Sequence, residues 1–297
     1  MALISRREAG KLVLAGCAGA LVPVGRLYGA AKINSVIRGV QIGAQSYSFR
    51  DRPLDACIDA FREVGLGECE LYEGHLLPGK LKGEELTKWR MATPDSFFRD
   101  VRKKFDDAGI LIYAFNYSFR KDFTDAEIER GFQMAKALGA TCITASSNLS
   151  VVSRVDTGAQ KYKMMVGFHG HDQTGKPDEF STVETFATAM KGASRYIGVN
   201  LDIGHFTAAG GDPVAYLGEH HEKIVTLHIK DRKKDHGANL PFGQGDTPIV
   251  AVLQMLRDKK WKIPANIEYE YGNAIKGLDS VAEVKKCFEY CKKALES

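Results

Sequence analysis

Several features that mark particular classes of protein are missing from this sequence of 297 residues. No apolar run reaches the about 20 residues that a helix needs to cross a membrane, so the sequence predicts no stable membrane span. Low-complexity stretches and strong internal repeats are absent as well. With 44% hydrophobic and 26% charged residues, the composition is that of an ordinary globular protein.

A strong charge of one sign is also missing. The formal net charge is only +4, and most of it comes from Arg6, Arg7, Lys11 and Arg26 near the N-terminus. The rest of the chain is close to neutral, whereas proteins that bind nucleic acids need a basic face. We therefore expect no nucleic-acid partner.

The six cysteines include no CxxC pair. If Cys17 leaves with a cleaved leader, an odd number remains, and they cannot all pair within one chain. We expect the remaining cysteines to be buried as small apolar side chains. They are Cys57, Cys69, Cys142, Cys287 and Cys291.

The N-terminal segment resembles a twin-arginine export signal. Ser5-Arg6-Arg7 precedes an apolar stretch at 12–24, and Gly29-Ala30-Ala31 offers a small-residue cleavage site. This pattern predicts a signal peptide at residues 1–31 and export to the periplasm. Two alternatives stay open: lipid anchoring through Cys17, which ends a lipobox-like LAGC, and a plain amphipathic N-terminal helix.

After this segment, short apolar strands alternate with amphipathic helices. Thr124 and Glu127 have capping-box spacing before one helix, and the pairs Ser181/Glu184 and Ser280/Glu283 repeat it. Eight strands are predicted, at 40–46, 68–72, 111–116, 141–146, 165–169, 198–203, 224–229 and 266–270.

Strand–helix alternation indicates parallel strands joined by right-handed crossovers. A doubly wound sheet would place a glycine-rich GxGxxG loop after the first strand, and QSYSFR stands there instead. The sequence therefore predicts a single α/β domain over 38–297, a closed (β/α)8 TIM barrel. Catalytic residues of such barrels lie at the carboxyl ends of the strands.

Four consecutive predicted strands end in side chains that bind metals. They carry His169, Asp202, His228 and Glu268, in that order. Imidazole and carboxylate ligands together suit Mn, Zn, Fe, Co or Mg. The sequence thus predicts a site for one divalent metal ion at the mouth of the barrel.

The chain resembles the xylose-isomerase-like TIM barrel superfamily, also called the sugar phosphate isomerase/epimerase family. The resemblance covers essentially the whole predicted barrel. It implies a carbohydrate or polyol substrate, although no phosphate cradle is visible in the sequence. The motifs that carry it are QSYSFR at 45–50, NLDIGH at 200–205, LHIKDR at 227–232, GQGD at 243–246 and IEYE at 267–270.

In epimerase-like members of this family the metal is held by Glu, Asp, His and Glu. Asp202, His228 and Glu268 match the last three, but His169 stands where the first glutamate belongs. That glutamate and the last one also transfer protons in those enzymes, so the substitution removes the symmetric carboxylate pair. The resemblance leaves Glu268 as a catalytic group, and His169 or His171 can serve as a general base near neutral pH.

Further residues near the strand ends are candidates for the same pocket. His205 matches a substrate-binding histidine of the family, and Lys230 lies two residues beyond His228, on the same face of its strand. Glu270 shares the face of Glu268 in the same way, as a second acid–base candidate. Other candidate substrate-binding residues are Tyr47, Glu70, His75 and Asn116.

These residues indicate a metal-dependent isomerase or epimerase that removes a proton next to a carbonyl and passes through an enediolate. The alternative with the same first step is a lyase or dehydratase that eliminates a group from a keto-sugar or an oxidised glycoside. A sugar-binding barrel without turnover and an endonuclease-IV-like phosphodiesterase are further alternatives. Relatives form dimers or tetramers, so a homo-oligomer stays open.

Overall fold

The computed structural model describes residues 31–273, 275 and 277–297. The predicted signal peptide and Cys17 lie outside these residues, apart from Ala31. Within the part of the chain that the structure describes, no helix is long and apolar enough to span a bilayer.

Eight parallel strands form the centre of the molecule, in the order that the sequence predicts. They are β1 Val40–Gln45, β2 Glu68–Tyr72, β3 Leu111–Asn116, β4 Cys142–Ala145, β5 Met165–His169, β6 Ile197–Asp202, β7 Ile224–Ile229 and β8 Ala265–Ile267.

The sheet closes on itself because β1 pairs with strands on both sides. Ala44 lies opposite Cys69 of β2 and opposite Ile267 of β8, and every other strand pairs with its neighbours in sequence. The predicted (β/α)8 barrel is therefore confirmed. Two antiparallel pairs flank the barrel. The short strand Val36–Ile37 pairs with β1, and Asp231–Arg232 pairs with Asn239–Leu240 beyond β7.

The described residues form ten α-helices, which surround the barrel or follow its strand ends. They are α1 Leu54–Val64, α2 Gly83–Ala92, α3 Asp95–Asp107, α4 Asp125–Leu138, α5 Val152–Tyr162, α6 Val183–Met190, α7 Ile203–Ala208, α8 Pro213–His220, α9 Ile249–Lys259 and α10 Ser280–Glu296. The pair α2 and α3 occupies the single connection between β2 and β3.

One of three predicted capping boxes is confirmed. Thr124 caps α4 and Glu127 bonds back to its backbone, as expected. The other two predictions were each wrong by one residue: Thr182 rather than Ser181 precedes α6, and Asp279 rather than Ser280 caps α10 by accepting from the Ala282 amide at 2.9 Å. Asp279 can take the N-cap position in place of Ser280 because aspartate and serine side chains both accept hydrogen bonds from backbone amides.

The core between barrel and helices is apolar, whereas the barrel interior holds polar side chains. All five cysteines of the described residues are buried and unpaired, as predicted. Inside the barrel, Glu68, Glu70 and Asn266 are at most 1% exposed. A side chain at Gly43 would collide with Glu68 and Asn266, so glycine leaves the room that these groups need.

Candidate metal centre and substrate pocket

The four predicted ligands meet at the carboxyl end of the barrel. His169 and Asp202 end β5 and β6, His228 is the penultimate residue of β7, and Glu268 directly follows β8. One ligand atom from each lies within 4.8 Å of the others, and all four residues are buried. The eighth strand ends three residues earlier than the sequence indicates, so Glu268 lies just after the strand rather than in it.

One of these groups has a polar atom without a hydrogen-bond partner. His228 Nδ1 is buried and makes no hydrogen bond, and it lies 3.0 Å from Glu268 Oε2. That carboxylate oxygen is also buried, and the polar atom nearest to it is Lys230 Nζ at 2.8 Å. Buried polar atoms in folded proteins are almost always satisfied, so unsatisfied ones point to a missing partner. Two imidazoles and two carboxylates in one buried group suit a divalent transition metal.

Glu70 fixes the orientation of His228 from inside the barrel. Its Oε2 lies 2.9 Å from His228 Nε2, while Gln45 and Thr144 donate to its Oε1 at 3.0 and 2.6 Å. A neutral His228 that donates from Nε2 keeps its Nδ1 lone pair for a metal. Histidine ligands commonly donate their second nitrogen to a carboxylate in this way.

The protonation of His228 responds to the same carboxylates. Burial lowers its pKa, but Glu70 and Glu268 outweigh burial and raise the pKa well above the ordinary value. The surroundings of His228 therefore favour a positive charge. A bound metal ion supplies that charge, so we expect binding to displace a proton from the ring.

His169 is held by Ser146, which begins the loop after β4. Ser146 Oγ lies 3.3 Å from Nδ1, and Nε2 faces Asp202 Oδ2 at 3.4 Å. Burial, followed by the nearby His228, keeps the pKa of His169 below its ordinary value despite Asp202. A neutral ring that donates to Ser146 presents its Nε2 lone pair to the ligand cluster.

Asp202 joins the metal group to the start of α7. Its Oδ1 accepts from the His205 amide at 2.7 Å, as an N-cap does, and its Oδ2 faces the other ligands. Burial raises the pKa of this carboxyl, but Lys230 and His205 outweigh burial and hold the pKa well below its ordinary value. Asp202 is therefore ionised, as a metal ligand must be.

Lys230 is buried among three carboxylates. Its Nζ lies 3.0 Å from Asp202 Oδ2, 2.8 Å from Glu268 Oε2 and 2.7 Å from Glu270 Oε2. Burial lowers the pKa of this amine, but the carboxylates raise it above its usual value, so Lys230 stays protonated. Gly204 allows this position, because a Cβ there would lie 2.9 Å from the lysine Cγ and carbonyl oxygen.

His205 stands between Lys230 and a second ion pair. Arg232 Nη1 lies 2.6 Å from His205 Nδ1, and Arg232 Nη2 lies 3.0 Å from Asp172 Oδ2. A guanidinium can only donate, so Nδ1 accepts from Arg232. The other ring nitrogen, Nε2, faces the pocket side and lies 3.1 Å from Lys230 Nζ.

A cavity of about 330 Å³ lies directly over the cluster. This volume suits a small polar ligand. Of the predicted substrate-binding and acid–base residues, the cavity wall contains Tyr47, Asn116, His171, His205, Lys230 and Glu270. Burial, helped by His169 and His205, lowers the pKa of His171 to about 3, so this ring is neutral at physiological pH.

Two predicted substrate-binding residues lie away from the cavity wall. Glu70 is 0% exposed, with both oxygens occupied by His228, Gln45 and Thr144. His75 Nε2 lies 2.9 Å from the Ser46 carbonyl oxygen, in a short turn after β2. Glu70 therefore supports a ligand, and His75 fastens the loop after β1.

Sequence reasoning missed several residues that shape the site. Asn200 lies 3.0 Å from His228 Nε2, and its spacing of two from Asp202 on one strand could have revealed it. Ser146 stood at a predicted strand end. Tyr72 of the cavity wall ends β2 and likewise stood at a predicted strand end. Arg232, behind His205, had no comparable signal, because it lies in the short strand beyond the end of β7.

The chain belongs to the xylose isomerase-like TIM barrel family, whose model matches residues 58–293. No curated protein sequence matches the chain significantly. The family assignment agrees with the closed barrel and with a site at the carboxyl ends of its strands.

Solved structures share the fold at low sequence identity. A sugar phosphate isomerase/epimerase from Parabacteroides distasonis is 18% identical, with a TM-score of 0.64 over 91% of this chain and 99% of that one. The 3-keto-D-glucoside 4-epimerase YcjR from E. coli is 12% identical, with a TM-score of 0.63 over 86% and 99%. The IOLI protein, solved with a zinc atom, is 15% identical, with a TM-score of 0.66 over 86% and 98%.

Proposed function

We propose that this chain is a metal-dependent isomerase or epimerase that removes a proton next to the carbonyl of a sugar-derived ketone or a related polyol ketone. The observation that carries the proposal is the buried group His169, Asp202, His228 and Glu268 at the floor of a small polar cavity. The name of one structural neighbour, a 3-keto-D-glucoside 4-epimerase, supports a keto-glucoside as the first substrate class to test.

The four residues fit a divalent ion because one ligand atom of each converges, His228 Nδ1 has no hydrogen-bond partner, and the pKa values of both carboxyls are held below their usual range. Such an ion, when bound, acts as a Lewis acid that acidifies the neighbouring C–H bond and stabilises the negative charge that develops on oxygen. The protein's own contribution is to place bases and hydrogen-bond donors around the reacting carbon.

Groups for proton transfer reach the cavity from two directions. Glu268 and Glu270 follow β8, while His169 and His171 stand at the end of β5, three strands away around the barrel. The side chains of Glu270 and His171 are 18% and 29% exposed, so a ligand can reach both. Groups that can accept a proton on two sides of the cavity suit epimerisation, in which one group removes the proton and a protonated group on the other side returns one. Return of the proton to the adjacent carbon gives isomerisation.

Lys230 and His205 are suited to bind substrate oxygens. The ammonium of Lys230 can donate to a hydroxyl or to an enediolate oxygen, and His205 Nε2 beside it can form a hydrogen bond with a substrate hydroxyl. Arg232 and Asp172 hold His205 in that orientation.

Elimination is the second candidate, and one observation favours it. His169 replaces the glutamate that the family resemblance implies, so both acid–base carboxylates of this site come from the β8 side, next to the protonated Lys230. In an elimination, a carboxylate takes the proton, the C–O bond at the next carbon breaks, and the departing oxygen receives a proton from Lys230 or water.

Metal content tests the first requirement of both candidates. We expect the purified protein to hold one equivalent of Mn, Zn, Fe or Co by plasma mass spectrometry. His169→Glu should retain the metal, because a carboxylate is also a ligand, whereas His169→Ala should bind it weakly. A wild-type protein that stays free of metal after incubation with these ions would leave the sugar-binding barrel without turnover as the better interpretation.

Solvent exchange separates the candidates from each other. The metal-loaded protein is incubated in D2O with methyl 3-keto-glucopyranoside, and the products are followed by NMR. Deuterium in an otherwise intact or epimerised sugar supports isomerase or epimerase chemistry. Release of methanol with formation of an unsaturated ketone supports elimination.

We also propose that the chain is exported through the twin-arginine route, on the strength of Ser5-Arg6-Arg7 and the apolar stretch after it. Replacing Arg6 and Arg7 together by lysine should keep the full-length protein in the cytoplasmic fraction. Wild type should appear in the periplasm, shortened by about 30 residues, as usual for signal peptides. Equal distribution of both forms would contradict the assignment.

A further inference from the structure

A second cavity adjoins the one over the metal ligands. It has a volume of about 480 Å³, larger than the inner cavity of about 330 Å³. Ser118, Ser146 and His171 line both cavities, and Ser146 contacts the ligand His169 directly. The inner pocket therefore continues outward at the ends of β3, β4 and β5.

The outer cavity is polar and balanced in charge. Among the described residues that line it, Phe119 is the one apolar side chain. Arg120 and Lys121 are offset by Asp122 and Glu179, so neither an anion nor a cation is favoured. The remaining wall consists of hydroxyl, amide and imidazole groups, which match the alternating donors and acceptors of a neutral sugar.

Two wall residues carry buried oxygen atoms without a partner. Ser147 Oγ and Gln173 Oε1 make no hydrogen bond in the structure. Each such atom costs free energy unless a ligand or water bonds to it. Both residues line the outer cavity from two different loops, so a polar ligand that bonded to both would bridge the loops.

The wall is also held in place before any ligand arrives. Asp178 of the β5 loop accepts from the Ser150 amide and hydroxyl at 2.8 Å, and its carbonyl accepts from Asn148 Nδ2 at 3.0 Å. These bonds tie the β4 loop to the β5 loop across the cavity. A preformed wall lowers the entropic cost of binding.

We infer that the outer cavity binds a second sugar ring, so that the substrate is a glycoside of at least two units, with its reactive ring over the metal ligands. This inference rests on the proposed function, because that function places the reactive ring in the inner cavity. A single free hexose would leave the outer cavity and its unpaired oxygens without contacts.

The test is calorimetric binding of unreacted sugars to the full, metal-loaded protein. Methyl glucoside is the one-ring probe, and cellobiose, maltose and trehalose are the two-ring probes. We expect at least one disaccharide to bind about tenfold more tightly than methyl glucoside, since each additional hydrogen bond contributes about fivefold. Equal binding of one-ring and two-ring probes, or no binding of any, would overturn the inference.

Two variants locate the effect. Ser147→Ala and Gln173→Leu remove unpaired oxygens and break no hydrogen bond of the structure, so both should fold. Each should weaken disaccharide binding about fivefold and leave methyl glucoside unchanged. Lys176→Ala, an exposed change in the same loop but outside the cavity wall, is the matched control and should alter neither. Loss of affinity for both probes alike would contradict a separate second subsite.

Deuterium exchange into methyl 3-keto-glucopyranoside is run in parallel. If deuterium exchanges into the keto-sugar but disaccharides bind no more tightly than methyl glucoside, the proposed function stands and the second subsite is rejected. Disaccharide binding that depends on Ser147 and Gln173, without any exchange, supports the subsite and rejects the proposed function.

Discussion

The two halves of the barrel mouth differ in chemistry although they share one architecture. Strands β5 to β8 end in His169, Asp202, His228 and Glu268, the complete group of candidate metal ligands. Strands β1 to β4 contribute Gln45, Glu70, Asn116 and the loop residue Ser146, which support those ligands or line the cavity. One half thus carries the candidate metal ligands, and the other half holds them in place and lines the cavity.

The difference shows that charge type alone does not define a ligand. Glu70 is a buried carboxylate near the cluster, like Asp202, but its oxygens are occupied by His228, Gln45 and Thr144. Asp202 uses only one oxygen to cap α7 and keeps the other for the cluster. Hydrogen-bond satisfaction separates the supporting carboxylate from the ligand.

Removing a ligand from the β5–β8 half should have the largest effect. Asp202→Asn keeps a side chain that can still cap α7, but it removes the negative charge. Zinc sites with four ligands bind their ion with about 10–16 kcal/mol, and dividing this free energy among the ligands gives about 3–4 kcal/mol for each. We expect metal affinity to fall roughly 100- to 1,000-fold, measured by competition with a chelator, with a nearly unchanged circular dichroism spectrum. Wild-type affinity in this variant would remove Asp202 from the site.

In the β1–β4 half, we expect stability to depend on a buried ion pair rather than on a bound metal. Arg90 is paired with Glu73, and both side chains are about nine-tenths buried. Arg90→Ala leaves the Glu73 carboxylate without its partner and should lower the free energy of unfolding by about 3 kcal/mol. Chemical denaturation measures this loss. Arg62→Ala, on the exposed face of α1, is the control and should change stability by less than about 0.5 kcal/mol.

A substitution in the β1–β4 half should lower metal affinity indirectly, through a ligand that it orients. Glu70→Gln weakens the hold on His228 Nε2, so we expect metal affinity to fall about 10- to 100-fold. Asn116→Ala changes the same half but contacts Thr144 rather than a ligand, and it should leave metal affinity unaltered. If both variants behave alike, Glu70 has no special role in orienting His228.

Removing a helix N-cap should have the smallest effect, and the loss of stability should be equal in both halves of the barrel. Thr124→Ala removes the cap of α4, between β3 and β4, and Asp279→Ala removes the cap of α10, after β8. Each should cost about 1 kcal/mol of unfolding free energy without changing metal content. A metal loss in either variant would show that the two halves are not independent of their helices.

Most of the fold could be predicted from the sequence because strand and helix patterns are local. Four of the eight strand ranges agree residue for residue with the structure, among them Glu68–Tyr72 and Met165–His169. The errors fall where neighbouring residues compete for one role. Asp279 and Ser280 can both cap α10, and the eighth strand stops at Ile267 rather than continuing through Glu270.

The candidate site was predictable only in part. Side-chain type and strand-end position indicated the four ligands and most of the cavity wall. They could not distinguish Glu70, which lies beneath His228, from residues that face a substrate. They also gave no sign of the outer cavity, because its wall comes from three separate loops.

The sequence by itself determined the succession of strands and helices, the polar residues at the strand ends and the membership in a barrel family. The tertiary structure decided which of those residues meet. A shift in register between Val199 and Asn200 places Asp202 opposite His228, whereas an unbroken register would place it opposite Leu227. Since a shift of one residue reverses the face of a strand, pairing between distant segments decides whether ligands converge, and no local pattern encodes it.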